Sequence, residues 1–109
     1  MTTFNEYQSA AVQTAVYPEL IGLMYVTIGL AGETGEVAEK IKKLYRDKNG
    51  ELDDDYRDLI AKEIGDCLWY LAMLCTELDV SFEDVANGNI AKLRSRMAQG
   101  TIKGNGDDR

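Results

Sequence analysis

Residues 20–78 read LIGLMYVTIGLAGETGEVAEKIKKLYRDKNGELDDDYRDLIAKEIGDCLWYLAMLCTEL and decide the fold. Lys48-Asn49-Gly50 divides this stretch, because asparagine and glycine tolerate the left-handed backbone conformation that ends helices. Before this turn a helix is predicted to begin near Pro18 or Glu19, and after it another extends from about Asp54 to Leu78. With a short turn between them, the two helices are expected to pack side by side in opposite directions.

The second of these helices carries apolar residues three and four positions apart, which is the spacing of one helical face. The stripe consists of Ile60, Ile64, Cys67, Leu71, Leu74 and Leu78. Between Cys67 and Cys75 the sequence CLWYLAMLC is apolar on all sides, as in helices that neighbours cover completely. Part of this segment is therefore expected to face a second subunit.

Two shorter helices flank the central pair. The first is predicted from Phe4 to Ala15 and ends near Tyr17-Pro18, because proline disfavours a helical conformation in the residue before it. Ser81, followed by Asp84, resembles a capping box and opens a helix that continues to about Ala98. No segment shows the period-two alternation of a half-buried strand. The sequence predicts an all-α, four-helix bundle-like protomer with two long antiparallel central helices.

Length and composition define the expected organisation. A chain of 109 residues fits one domain, predicted over residues 1–98, with a glycine-rich tail over residues 99–109. The net charge of −7 argues against binding nucleic acid through its phosphates. The longest charge-free stretch, residues 20–32, is shorter than the about 20 residues that span a bilayer. Since no secretory signal is visible, we expect a cytoplasmic protein without a membrane span.

Two pairs of acidic residues occupy equivalent positions in the central helices. Glu33 and Glu36 lie three residues apart in one helix, and Glu63 and Asp66 lie three apart in the other, so each pair shares a helical face. Both pairs lie about 20 Å along the helix from the Asn49-Gly50 turn, so antiparallel packing brings them to one height. Either pair alone would be interpreted as a solvated helix face, but the symmetric double pair predicts four carboxylates that meet.

Converging carboxylates repel one another unless protons or a cation neutralise them. The chain has no histidine, so an all-oxygen ligand set is expected, which favours Mg²⁺, with Mn²⁺ as a substitute. Gly35 and Gly65 precede the second acid of each pair. Because glycine weakens a helix by about 1 kcal/mol relative to alanine, we expect them to allow a close approach of the two backbones. Simple tight packing would explain either glycine alone.

Metal ions on carboxylates commonly hold phosphates and activate water, so cationic side chains are expected nearby. Lys40 lies seven residues after Glu33, close to two helical turns, and therefore on the same face. The last helix supplies Lys92, Arg94 and Arg96. For each of them an ordinary solvated charge is the alternative.

Four blocks in this order resemble the MazG-like nucleoside triphosphate pyrophosphohydrolases: NEYQ (5–8), GLAGETGEVAEKIKK (29–43), EIGDCLWYLAMLC (63–75) and NIAKLRSR (89–96). The resemblance covers most of the chain through residue 97. It implies an all-α fold in which a metal-activated water attacks the α-phosphorus of a (deoxy)nucleoside triphosphate. The products are the monophosphate and pyrophosphate, and the implied role is cleaning of the nucleotide pool.

The resemblance also implies roles for individual residues. The predicted metal-binding and catalytic residues are Glu33, Glu36, Glu63 and Asp66. Together with Lys40, the predicted substrate contacts are Gln8, Tyr70, Asn89, Lys92 and Arg96, with Gln8 as a contact to the base. A core aromatic is the alternative for Tyr70, and a surface amide for Asn89. The resemblance further implies assembly as a dimer or as a dimer of dimers, so a homodimer or homotetramer is expected.

The sequence after Arg96 departs from the tyrosine-proline ending common in such domains. Because this tail has no periodicity, a disordered end is one interpretation. The alternative hypothesis is that it folds over bound phosphates and contributes Lys103 and Arg109, since glycine lets backbone amides approach closely. Two enzymatic alternatives are a dUTP and a phosphoribosyl-ATP pyrophosphohydrolase. A third alternative is a non-catalytic helical interaction module whose acidic pairs bind a structural ion or stay solvated.

Overall fold

The computed structural model describes residues 1–104. Its four α-helices are α1 (Phe4–Val12), α2 (Gly22–Lys48), α3 (Asp54–Glu77) and α4 (Phe82–Gln99), and a short 3-10 turn (Glu19–Ile21) precedes α2. No strand occurs among these described residues. The prediction of an all-α protein with two long central helices is therefore confirmed. No helix in this part of the chain is both long enough and apolar enough to cross a membrane.

Contacts between α2 and α3 occur in opposite order along the two helices. Near the turn that joins them, the Tyr56 hydroxyl of α3 donates a hydrogen bond to the Lys40 carbonyl oxygen of α2 (2.5 Å). At the far end, the backbone at Gly22 of α2 lies against the Glu77 carboxylate of α3. Residue numbers therefore fall along α2 as they rise along α3, and the two helices are antiparallel, as predicted.

Local chemistry sets the ends of the helices. α2 ends where Asn49 and Gly50 adopt left-handed backbone conformations, with φ of 55° and 77°. α3 begins after Asp53, whose side chain accepts a hydrogen bond from a backbone N–H of the first turn (2.8 Å). α4 begins after Ser81, whose hydroxyl accepts from the Asp84 backbone N–H (3.1 Å). The predicted turn and the predicted starts of α3 and α4 are confirmed.

The first helix is shorter than predicted. It ends at Val12 instead of Ala15, because each of the next three backbone N–H groups bonds to the carbonyl three residues back, in the tighter 3-10 pattern. The Thr14 hydroxyl also donates to the Ala11 carbonyl oxygen (2.7 Å), which competes with continued α-helix. The second helix likewise begins later than predicted, at Gly22, because the 3-10 turn takes the residues after the proline.

The buried core draws on all four helices and consists of Ala11, Val26, Ala72, Met73, Cys75 and Phe82. The apolar stripe predicted along α3 is not the buried face of this helix, since Ile64, Leu71 and Leu78 are 55%, 40% and 55% exposed. The middle of α3 is apolar on all sides, so spacing alone does not define which side meets the core. Only part of the stripe, including Leu74, packs against the core.

The helix α4 is anchored at its first residue. The buried Phe82 ring packs edge-on against Phe4, with 4.8 Å between the ring centroids. Gln8 of α1 donates hydrogen bonds to the Thr76 hydroxyl (3.1 Å) and the Val80 carbonyl (3.0 Å), and accepts one from the Phe82 backbone N–H (2.9 Å). Within residues 1–104, α4 contacts α1 and α3 but not α2. One chain therefore does not form a closed four-helix bundle.

The end of α4 leads into the predicted tail. Gly100 ends the helix with a left-handed φ of 72°, and the Thr101 backbone N–H donates to the Arg96 carbonyl oxygen (2.8 Å). Lys103 is exposed, whereas Arg109 lies outside the described residues. The division into a domain of residues 1–98 and a tail, and the closing of that tail over phosphates, stay predictions.

Replacing Gln8 by leucine is expected to lower the free energy of unfolding by about 1–3 kcal/mol, because the Val80 carbonyl and the Phe82 N–H lose their partner. Urea denaturation followed by circular dichroism measures the change. Gln13→Leu is the matched control, since Gln13 is exposed and follows the same helix. Equal stability of the two variants would contradict a structural role for the Gln8 amide.

Candidate metal centre

Three carboxylates from the two central helices converge. Glu33 of α2 and Glu63 and Asp66 of α3 each place a carboxylate oxygen so that the three oxygen atoms lie within 4.8 Å of one another. The spacing of three residues puts Glu63 and Asp66 on one face of α3, and antiparallel packing brings Glu33 opposite to them. The structure therefore brings together three of the four predicted metal ligands.

Glu36, the fourth predicted ligand, does not belong to this group. It lies three residues after Glu33 on α2, and it is exposed. Its charge nevertheless reaches the group, since it is one of the causes that raise the pKa of Glu33. Its role as a ligand stays a prediction.

The clustered carboxylates of Glu33, Glu63 and Asp66 repel one another. Partial burial raises the pKa of Glu33 above its ordinary value, and the negative charges of Asp66, Glu63 and Glu36 raise it further, in that order. A cation among these carboxylates would remove the repulsion. Oxygen donors on two facing helices, without histidine or cysteine among them, fit a hard divalent cation such as Mg²⁺ or Mn²⁺.

Lys40 lies beside the carboxylates, as its spacing predicted. Its ammonium nitrogen is 3.8 Å from a carboxylate oxygen of Glu63, and the two side chains are 25% and 19% exposed. At this distance the pair is a loose ion pair that offsets part of the negative charge. The role of Lys40 as a substrate contact stays a prediction.

The rings of Trp69 and Tyr70 form an aromatic wall beside Glu33 and Asp66, on the side of the carboxylates away from Lys40. A cavity of about 280 Å³ is lined by Glu33, Asp66, Thr14, Trp69 and Tyr70. Of the lining aromatics, sequence reasoning named Tyr70 and missed Trp69. Spacing gave a signal for both, because positions three and four after Asp66 lie on the same face of α3.

Contacts within the wall fix the aromatic rings. The Trp69 indole N–H donates a hydrogen bond to the Thr14 hydroxyl (2.8 Å). The rings of Trp69 and Tyr70 meet edge to face, with centroids 5.0 Å apart. Tyr7 of α1 also lies near the carboxylates, since partial burial first and the charge of Asp66 second raise its pKa. Neither Tyr7 nor Thr14 was a sequence-based candidate.

The remaining predicted substrate contacts lie elsewhere in the chain. Gln8 bonds to Thr76, which is ten residues, or about 15 Å of helix, beyond Asp66. Asn89, Lys92 and Arg96 lie on α4, which does not contact α2 within the described residues. Asn89 and Lys92 are exposed, whereas Arg96 is only 5% exposed. Their roles as substrate contacts stay predictions.

The glycines within the acidic motifs do not have the predicted contacts. A Cβ added at Gly35 or Gly65 would meet no atom within 4 Å among the described residues. The predicted close approach of backbones at these two positions was therefore wrong for a single chain. Among the glycines of residues 1–104, those that do face another helix at close range are Gly22, against Glu77, and Gly29, against Tyr70.

Comparison with known proteins gives two matches of wide coverage. Residues 25–101 match the MazG nucleotide pyrophosphohydrolase domain, and this range includes all four predicted acidic ligands. The chain is also 47% identical to the Gene 37 protein of Mycobacterium phage L5, over 94% of this chain and 96% of that protein. No solved structure matches. With a domain match over most of its length and a relative aligned almost end to end, the chain belongs to the MazG nucleotide pyrophosphohydrolase family.

Proposed function

We propose that the protein hydrolyses (deoxy)nucleoside triphosphates to the monophosphate and pyrophosphate, in the service of nucleotide-pool cleaning. The observation that carries this proposal is the convergence of Glu33, Glu63 and Asp66 inside a MazG domain. Carboxylates gathered on rigid helices beside a cavity suit metal-assisted phosphoryl chemistry. The base preference would follow from the cavity walls, because selectivity depends on a few contacts and on pocket shape.

The proposed cofactor is Mg²⁺, which Mn²⁺ could replace. Glu33, Glu63 and Asp66 would hold it, with Glu36 as an additional ligand. A bound divalent cation would supply the Lewis acidity that activates a water molecule for attack on the α-phosphorus and neutralises the departing pyrophosphate. Without a cation, these carboxylates would repel the triphosphate, so cation binding and substrate binding are expected to depend on each other.

Different residues around the carboxylates are proposed to bind different parts of the substrate. Lys40, beside Glu63, is proposed to contact a phosphate. Tyr70 and Trp69 line the cavity beside Glu33 and Asp66, and they offer apolar ring surface for the nucleoside. The phosphates would then lie over the carboxylates, with the nucleoside against the aromatic wall.

A homodimer or homotetramer is part of the proposal. Large apolar side chains are exposed along α2 and α4, including Met24, Ile28, Ile90 and Met97. The radius of gyration of 16.8 Å exceeds the about 13 Å expected for a compact chain of this length. An extended chain with long apolar faces is typical of a subunit that completes its core with a partner.

Assembly would also bring α4 to the carboxylates. Within one chain, α4 does not contact the helix that carries Glu33. If Asn89, Lys92 and Arg96 bind substrate beside both Glu33 and the acids of α3, a second subunit can bring α4 to the side of the site that α2 forms. We propose that each site combines the carboxylates of one chain with α4 of its partner.

The first test of this function is the release of monophosphate and pyrophosphate from a panel of canonical and modified nucleoside triphosphates, including dUTP, and from phosphoribosyl-ATP. Activity is expected with Mg²⁺ and not with EDTA. Asp66→Asn is expected to lower kcat/KM by at least about 100-fold, because outer-shell changes alone cost 10- to 100-fold at metal sites. Asp58→Asn, an exposed position on the same helix, is the control.

The outcome also separates the alternatives. Preference for dUTP or phosphoribosyl-ATP would assign a dedicated substrate, and Glu36→Gln reports whether the fourth acid takes part. If folded protein hydrolyses no substrate in Mg²⁺ or Mn²⁺, the proposed activity is wrong and the non-catalytic interaction module is favoured.

Without metal, Glu33→Gln is expected to raise the melting temperature at pH 7. The raised pKa of Glu33 means that its ionised form destabilises the folded state above that pKa. As the pH falls through the raised pKa, Glu33 of the wild type takes up a proton, and the difference in melting temperature between wild type and variant disappears. With Mg²⁺ the order is expected to reverse, because only wild type keeps the full set of ligands.

Thermal unfolding between pH 4 and 8, with Mg²⁺ or EDTA, measures these differences. Glu39→Gln is the matched control on the same helix, since hydrogen bonding to Lys42 lowers the pKa of Glu39 instead of raising it. It is expected to leave the response to Mg²⁺ unchanged. A Glu33→Gln variant that gains as much from Mg²⁺ as wild type would argue against Glu33 as a ligand.

If each site combines residues of two subunits, two inactive variants are expected to restore activity when they assemble into mixed dimers. Asp66→Asn and Lys92→Ala, co-expressed, are expected to regain about one quarter of wild-type activity in a dimer, because half of the dimers are mixed and each has one intact site. Co-expression of Asp66→Asn with Glu33→Gln should regain no activity. Both substitutions affect the same cluster of carboxylates, so neither site of a mixed dimer is intact. A fully active 12.1 kDa species in light scattering would contradict both the assembly and the shared site.

A further inference from the structure

Gly29 is a glycine of α2 that lies directly against the ring of a site residue, Tyr70. It lies one helical turn before Glu33, and Tyr70 lies one turn after Asp66 on the antiparallel helix. A Cβ at Gly29 would overlap the Cδ1, Cε1 and Cζ atoms of the Tyr70 ring. The ring therefore occupies the space that any other residue at position 29 would need.

The neighbouring glycines of α2 lack such a contact. A Cβ at Gly32 or Gly35 would meet nothing within 4 Å among residues 1–104. At Gly22 the obstructing group is the Glu77 carboxylate, the end of a flexible side chain that can move aside. Glycine disfavours helix relative to alanine, and at Gly29 a rigid aromatic ring gives a specific reason for its presence.

The position of Tyr70 is defined on a second side as well. Its ring meets Trp69 edge to face, and the Trp69 indole is held by its hydrogen bond to Thr14. Burial raises the pKa of Tyr70, and the charges of Tyr25, Glu33 and Asp66 raise it further. Tyr70 thus lies close to the carboxylate group and lines the same cavity as Glu33 and Asp66.

We propose that Gly29 is a positioning residue for the substrate: its missing side chain lets the Tyr70 ring lie against α2 and so sets the width of the cavity beside Glu33 and Asp66. This inference deepens the proposed function and rests on it. Gly29 itself does not touch the substrate, and it acts through the ring that the nucleoside contacts. A side chain at position 29 displaces that ring and leaves the carboxylates in place.

Kinetics of Gly29→Ala test the proposal. KM for the best nucleoside triphosphate is expected to rise about 10-fold, the effect of a small change in pocket shape, while kcat changes by less than about threefold because the carboxylates are intact. Gly32→Ala, on the same helix, is the control and should keep the wild-type KM. A wild-type KM for Gly29→Ala would overturn the proposal.

A stability cycle tests the contact without relying on catalysis. In wild type, Gly29→Ala is expected to lower the melting temperature because of the overlap with the ring. In a Tyr70→Ala background the same change should raise it, because alanine then contributes only its higher helix propensity. The same sign in both backgrounds would show that Gly29 does not act through Tyr70, and would overturn the proposal.

Fluorescence gives a further readout, since Trp69 is the single tryptophan of the chain. Gly29→Ala is expected to shift its emission spectrum, whereas Gly32→Ala should not. An unchanged spectrum together with an unchanged melting temperature would overturn the proposal. If wild type hydrolysed no nucleotide, the proposed function and the substrate role of Gly29 would fail together, while the stability cycle would still decide whether Gly29 positions Tyr70.

Discussion

The antiparallel packing of α2 on α3 is the constraint on which the rest of the structure depends. Because the helices run in opposite directions, residues that are equally far from the Asn49-Gly50 turn in the sequence lie opposite each other in the structure. Glu33 meets Asp66 in this way, and one turn farther on Gly29 meets Tyr70. The carboxylates and the aromatic wall are consequently parts of one helix interface, and a shift in helix register would disrupt both.

The same interface carries an electrostatic cost. Three carboxylates approach one another, and partial burial together with their mutual repulsion raises the pKa of Glu33. Lys40 offsets part of it through its loose pair with Glu63. Packing elsewhere along the hairpin must hold the acids together, which is consistent with a site built on two long helices instead of on loops.

Sequence reasoning succeeded where the signal is local or periodic. The Asn49-Gly50 turn, the caps at Asp53 and Ser81, and the facing of three acids follow from backbone preferences and helical geometry. It failed where three-dimensional packing decides. The middle of α3 is apolar on every side, so its spacing did not identify the buried face. Whether a helical glycine faces a ring, as Gly29 does, or open space, as Gly35 does, depends on the partner helix.

The bonds of Gln8 have a consequence for the order of folding. They join α1 to Thr76, Val80 and Phe82, across 68 to 74 residues of chain. The α2–α3 hairpin, by contrast, closes through a turn of a few residues. Contacts between distant parts of a chain form more slowly than local ones, so the hairpin is expected to assemble early. The two outer helices then dock as a coupled unit, and loosening one end of the chain would also release the other.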